Sequence, residues 1–110
     1  MARGARRATQ ELATDRTGKP IGADDFDAQC VQVFGNIEAA LASAGAGWGN
    51  VVQFTTYLVH SQDIAKFMTY RTREFPRLFK IGAYPPNTLL MVDRLVQEPF
   101  LVEVQAVAAL

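Results

Sequence analysis

The stretch YPPNTLLMVDRLVQEPFLVEVQAVAAL, Tyr84 to Leu110, decides how the rest of the chain is read. It opens on a rigid pair, Pro85 and Pro86, and a β-rich run follows from Thr88 to Val92. Gln97-Glu98-Pro99 breaks that run, and Phe100 to Leu110 then alternates. Phe100, Val102, Val104 and Ala106 fall on one face, and Leu101, Glu103, Gln105 and Val107 on the other. A period of two, with turn residues between the runs, predicts two strands. Glu103 stands out because a carboxylate in the middle of an apolar strand is costly unless it is hydrogen-bonded or wet. On periodicity alone a solvated sheet face accounts for it.

Upstream, Val51 to Val59 (VVQFTTYLV) is β-branched and aromatic, a third strand buried on both faces or lying against a partner chain. Ala8 to Leu12 alternates weakly and predicts a front strand, followed by a turn over residues 15–20. Between these lie two helical patterns. Phe26, Cys30, Val33, Phe34, Ile37, Leu41 and Ala44 recur in steps of three and four. Asp24 reads as the N-cap of this first helix, and Gly45 as the glycine just past its end. Its polar face is expected to carry Gln29, Gln32, Asn36 and Glu38. Asp63 is expected to cap the second helix, with Ile64, Phe67, Met68, Arg71 and Phe75 spaced along it, and Pro76 to end or kink it near Phe75. The order β–α–β–α–β–β predicts an α+β sandwich, one sheet covered by two helices. Such a sheet leaves its other face bare. Leu101, Val107 and one face of the Val51–Val59 strand would be exposed apolar surface, the mark of a closed ring of subunits.

The totals bound the function. With 110 residues the chain is expected to form one domain, residues 1–110. Eleven basic residues balance eleven acidic ones, which argues against a nucleic-acid-binding surface. Arg3, Arg6 and Arg7 cluster at the start, but no apolar segment follows as in a secretory peptide, and no run approaches a membrane span. One histidine, His60, and one cysteine, Cys30, match no metal-ligand spacing, and neither a metal nor a cofactor is expected. Cys30 lies in the apolar stripe and reads as a core cysteine, which fits a reducing, cytoplasmic setting. His60 reads as a loop residue.

Several pieces in this order and spacing resemble the YjgF/RidA (reactive intermediate deaminase) family. They are Thr17-Gly18-Lys19, Asn36 to Gly45, Val51 to Leu58, Asp63, Pro85-Pro86-Asn87-Thr88, Arg94-Leu95 and Val102 to Ala108. The resemblance runs from about Thr17 to Leu110. It implies a chorismate-mutase-like α+β fold, one mixed sheet on two helices, assembled as a homotrimer around a central barrel with a pocket at each subunit interface. It also implies hydrolysis of enamines and imines such as 2-aminoacrylate, or 2-iminobutanoate and 2-iminopropanoate, to 2-keto acids and ammonia without metal or cofactor.

By the same resemblance Glu103 stands at the water-positioning glutamate and Thr88 at a pocket hydroxyl. Where the family has a carboxylate-clamping arginine this chain has Asn87, whose amide brings no charge to a carboxylate. Asn87 is expected to point into the pocket, and Asn87→Arg to raise kcat/KM. Arg3-Gly4 aligns with a pocket-bordering small-residue–glycine pair, and Arg3 is a substitute source of positive charge. The family's aromatic-containing first strand has no counterpart, so the chain is expected to start one strand late. The alternative reading is a non-catalytic trimer that binds a small metabolite. Ribonuclease activity, attached to some relatives, is disfavoured by the neutral charge and the lack of a His/Lys cluster.

Overall fold

A computed structural model describes residues 5–110. Its elements are β1 (Arg6–Glu11), α1 (Phe26–Ser43), a short 3-10 turn (Trp48–Asn50), β2 (Val51–Leu58), α2 (Asp63–Leu78), β3 (Asn87–Met91) and β4 (Val102–Ala109). The four strands form one sheet in the order β1-β4-β2-β3. β4 is antiparallel to both β1 and β2, and β2 is parallel to β3, so α2 is the crossover that a parallel pair requires. The alternation and the helical stripes predict one sheet on two helices; that the sheet is mixed agrees with what the family resemblance implies.

The core lies between sheet and helices. Val102, Val104, Ala106 and Ala108 of β4 are buried there, with Phe54, Thr56 and Leu58 of β2. Phe100, just upstream of β4, is buried on the same side. α1 contributes Phe26, Cys30, Val33, Phe34, Ile37 and Leu41. Phe34 is the hub: its ring lies 5.9 Å from Phe54, 5.1 Å from Tyr70 and 5.6 Å from Phe75, tying α1 to β2 and α2. Aromatic pairs at these separations add to the burial of their area. Burial pushes the Cys30 thiol well above its usual range, with Asp27 and Asp63 adding to the rise, so the thiol stays protonated and inert.

Four local details differ from the sequence reading. Asp25, not Asp24, is the N-cap of α1; its carboxylate accepts the Ala28 N–H at 3.0 Å. Asp24 sits before it at φ 62°, a left-handed conformation that aspartate tolerates. Asp63 is the first residue of α2 rather than its cap, preceded by Gln62, which makes no capping bond. Pro76 does not end α2, which runs on to Leu78 because the flanking Phe75 and Phe79 are both buried and the Phe79 N–H still reaches the Phe75 carbonyl at 2.8 Å.

The fourth concerns Gln29, which is fully buried instead of facing water. Its Nε2 donates to the Pro99 carbonyl at 2.7 Å and to the Gly22 carbonyl at 3.2 Å, while its Oε1 accepts the Leu101 N–H at 2.8 Å. One helix amide thus ties together three backbone groups from distant segments, and fixes the chain two residues before Glu103. Gln32 and Asn36, lower on α1, bond the Leu12 and Thr14 carbonyls at 2.9–3.0 Å in the same manner.

Candidate functional site

The face of the sheet away from the helices carries the polar residues. Cross-strand register places Gln10, Gln105, Thr55 and Thr88 in one row, and Glu103, Tyr57 and Leu90 in another. Each is at least partly exposed, whereas their neighbours one residue along β2 and β4 are buried under the helices. The bare face is therefore mixed rather than apolar: Leu101 and Val107 are part-buried, and hydroxyl, amide and phenol groups lie between them. Alternation along each strand was legible in advance. Which residues of β1, β2 and β3 stand beside Glu103 was not, because register is set by pairing.

Glu103 is opposite Tyr57 and partly buried. Its carboxylate makes no hydrogen bond or ion pair with another described side chain, and burial raises its pKa above the usual glutamate value. An unbonded carboxylate with a raised pKa can accept a proton from water and hold the attacking oxygen in place. Thr88 is exposed on β3 and lies on the same face, two strands away and one step along.

Asn87 is on the other side. It pairs in register with Phe54, and its Oδ1 accepts the Thr56 hydroxyl at 2.8 Å. Thr56 is fully buried among the helix-facing residues of β2. The amide that was expected to point toward a pocket with Glu103 instead satisfies a buried hydroxyl on the helix side. Strand alternation explains this, since Asn87 and Thr88 are adjacent and must face opposite ways. Arg3 and Gly4 lie outside the described residues. A cleft of about 450 Å³ opens at the start of β3 between Trp48, Phe79, Lys80, Tyr84 and Pro85. Glu103, Thr88 and Asn87 are not among the residues lining it. Among the described residues no three His, Cys, Asp or Glu side chains come together as a metal site.

Residues 8–110 match the family model described as Endoribonuclease L-PSP, nearly the whole chain. The chain belongs to this family, which includes the YjgF/RidA proteins. It is 32% identical over 101 residues to a RutC family protein of Synechocystis, covering 91% of this chain and 74% of that protein. Among solved structures it is similar to YyfB of Yersinia pestis, a protein of unknown function of the conserved Rid family, at 28% identity and a TM-score of 0.81. That match covers 98% of this chain and 80% of the other. RidA from an Antarctic Psychrobacter is 25% identical with a TM-score of 0.79, over 93% and 77% of the two chains. Escherichia coli TdcF with bound serine, at 20% identity over 97% and 82%, has a TM-score of 0.83 and shows the shared YjgF/RidA fold alone. No helix among the described residues of this family member is long and apolar enough to cross a membrane.

Proposed function

We propose that this protein is a small-molecule hydrolase of its family, converting enamines and imines of the 2-aminoacrylate or 2-iminobutanoate type to 2-keto acids and ammonia. Glu103 carries the reading. It is a partly buried carboxylate with a raised pKa and no partner among the described side chains. In the reaction Glu103 takes a proton from water as the oxygen adds to the imine carbon. Returned to the imine nitrogen, that proton gives a neutral carbinolamine; its hydroxyl proton then passes to the amine as the C–N bond breaks, leaving the keto C=O and ammonia. Thr88 offers a hydroxyl on the same face to orient the substrate, and no metal or cofactor is needed.

The pocket is proposed to be completed by a neighbouring subunit in a homotrimer. One chain leaves Tyr57, Leu90, Leu101 and Val107 at least partly exposed on a surface that a second copy would cover. A reducing, cytoplasmic setting accords with the buried, unpaired Cys30.

A second reading, a trimer that binds a metabolite without chemistry, draws on Asn87, whose side chain is committed to Thr56. The two separate in one assay. An amino-acid oxidase generates imines from several amino acids, and imine decay is followed with and without the purified protein. Faster decay that Glu103→Gln abolishes supports the hydrolase. Ligand-dependent thermal stabilisation with no effect on decay supports the binding module.

A further inference from the structure

The cleft of about 450 Å³ at the start of β3 has the size of a small-molecule site and takes no part in the hydrolase reading. Phe79 is its fixed floor, buried and packed on Phe54 and Phe75 at 6.1 and 5.2 Å. Trp48 and Tyr84 meet Phe79 at 5.8 and 5.9 Å, and both line the cleft. The indole is held in place from α1. Its Nε1 donates to the Glu38 carboxylate at 2.9 Å, and its ring lies 6.2 Å from Phe34. Tyr84 is 41% exposed, so its ring is free to take a neighbour.

The rim is a tight turn. The Gly82 N–H donates to the Phe79 carbonyl at 3.1 Å, with Lys80 and Ile81 at the two central positions. Gly82 completes the turn at φ 80°, a conformation that favours glycine. Lys80 and Ile81 both line the cleft. Ile81 is 91% exposed, an isoleucine held in water beside a hollow that it does not fill. Lys80 is the only charged residue among those lining the cleft, and it pairs with no described carboxylate.

These features define the chemistry of an occupant. Aromatic walls on an aromatic floor favour a flat ring, which can stack or meet them edge to face. Ile81 adds apolar contact at the lip. One ammonium calls for one negative group. As a point charge without the planar fork of a guanidinium, it does not choose between a carboxylate and a sulfonate. An aliphatic acid would leave the rings unused, and a neutral aromatic would leave the charge unused.

We propose that this cleft is a binding site for a small aromatic anion, its ring between Trp48 and Tyr84 over Phe79 and its charge on Lys80. The site uses neither Glu103 nor Thr88, and it stands whether or not the protein hydrolyses imines.

The chain has one tryptophan, so ¹⁵N-labelled protein gives a single indole N–H signal, and that signal reports on the cleft without further assignment. Four probes are titrated: 2-naphthoate, 2-naphthalenesulfonate, the neutral 2-naphthalenemethanol and the non-aromatic cyclohexanecarboxylate. Both aryl anions are expected to shift the signal saturably and with similar affinity. The neutral alcohol should bind about two- to fivefold more weakly, the worth of one exposed ion pair. Cyclohexanecarboxylate should bind about tenfold more weakly, having no ring to stack. Lys80→Ala, at an exposed turn, should erase the preference for the anions and leave binding of the alcohol unchanged. The proposal is overturned if neither aryl anion shifts the signal saturably, if cyclohexanecarboxylate binds as tightly, or if Lys80→Ala still prefers the anions. It is also overturned if the signal moves on dilution of the protein alone, which would make the rim a contact between two copies. The wild-type titrations decide by themselves should the variant fail to fold.

Discussion

Asn87→Arg separates a residue that points into a pocket from one that completes the fold. In the structure Asn87 accepts the hydroxyl of a fully buried Thr56 at 2.8 Å. Arginine has no acceptor, so the substitution leaves that hydroxyl without its partner. An unsatisfied buried donor costs about 1–3 kcal/mol. At about 4–8 °C per kcal/mol for a domain near this size, a loss of about 2 kcal/mol lowers Tm by roughly 10 °C.

The source of the loss is isolated by a double-mutant cycle with Thr56→Val. Once the hydroxyl is gone, Asn87→Arg should cost clearly less, with a coupling of about 1 kcal/mol or more between the two sites. Urea unfolding at neutral pH measures both terms. In the imine-decay assay the variant should gain nothing in kcat/KM. An Asn87→Arg protein as stable as wild type, with no coupling to Thr56→Val, would refute the assignment of Asn87 to the helix side. A gain in kcat/KM would return it to the pocket.

Other expectations are open to simple measurement. Glu103→Gln should lower imine turnover by about 10²–10⁴-fold with the fold intact, and unchanged turnover removes Glu103 from the mechanism. The same substitution has a pH signature. Because the folded-state pKa of Glu103 is raised by burial, its contribution to stability is present below the unfolded pKa and is lost as pH rises through the folded one. Unfolding curves at acidic and neutral pH should therefore show wild type losing more stability than Glu103→Gln over that window; parallel losses would contradict it. Gln29→Ala removes a buried side chain and its three hydrogen bonds to the Gly22, Pro99 and Leu101 backbone, and should cost about 2–5 kcal/mol by urea unfolding, against little for exposed Gln62→Ala. Sedimentation should give three times the 12.1 kDa chain mass at micromolar concentration, and a compact monomer would reject the shared pocket.

The sequence alone carried what depends on local pattern. Alternation in β4 put Val102, Val104 and Ala106 inside and Glu103 outside, and the three-and-four spacing of α1 named its buried stripe, because side-chain direction along one element follows from its period. Period also showed that a sheet with helices on one side has a second face. It left open what stands opposite what. Whether Glu103 neighbours Tyr57 and whether Thr55 shares a row with Thr88 are facts of register between strands far apart in the chain. Gln29 looks polar in the sequence and is buried in the fold because Gly22, Pro99 and Leu101 converge on it from distant segments. Arg71 is spaced along the second helix in the sequence; only tertiary packing brings the Phe75 and Tyr84 rings to its guanidinium, with no carboxylate paired to it among the described residues. Asn87 and Thr88 make the division plainest: the chain sets them side by side, and the pleat sends one to the core and the other to the open face.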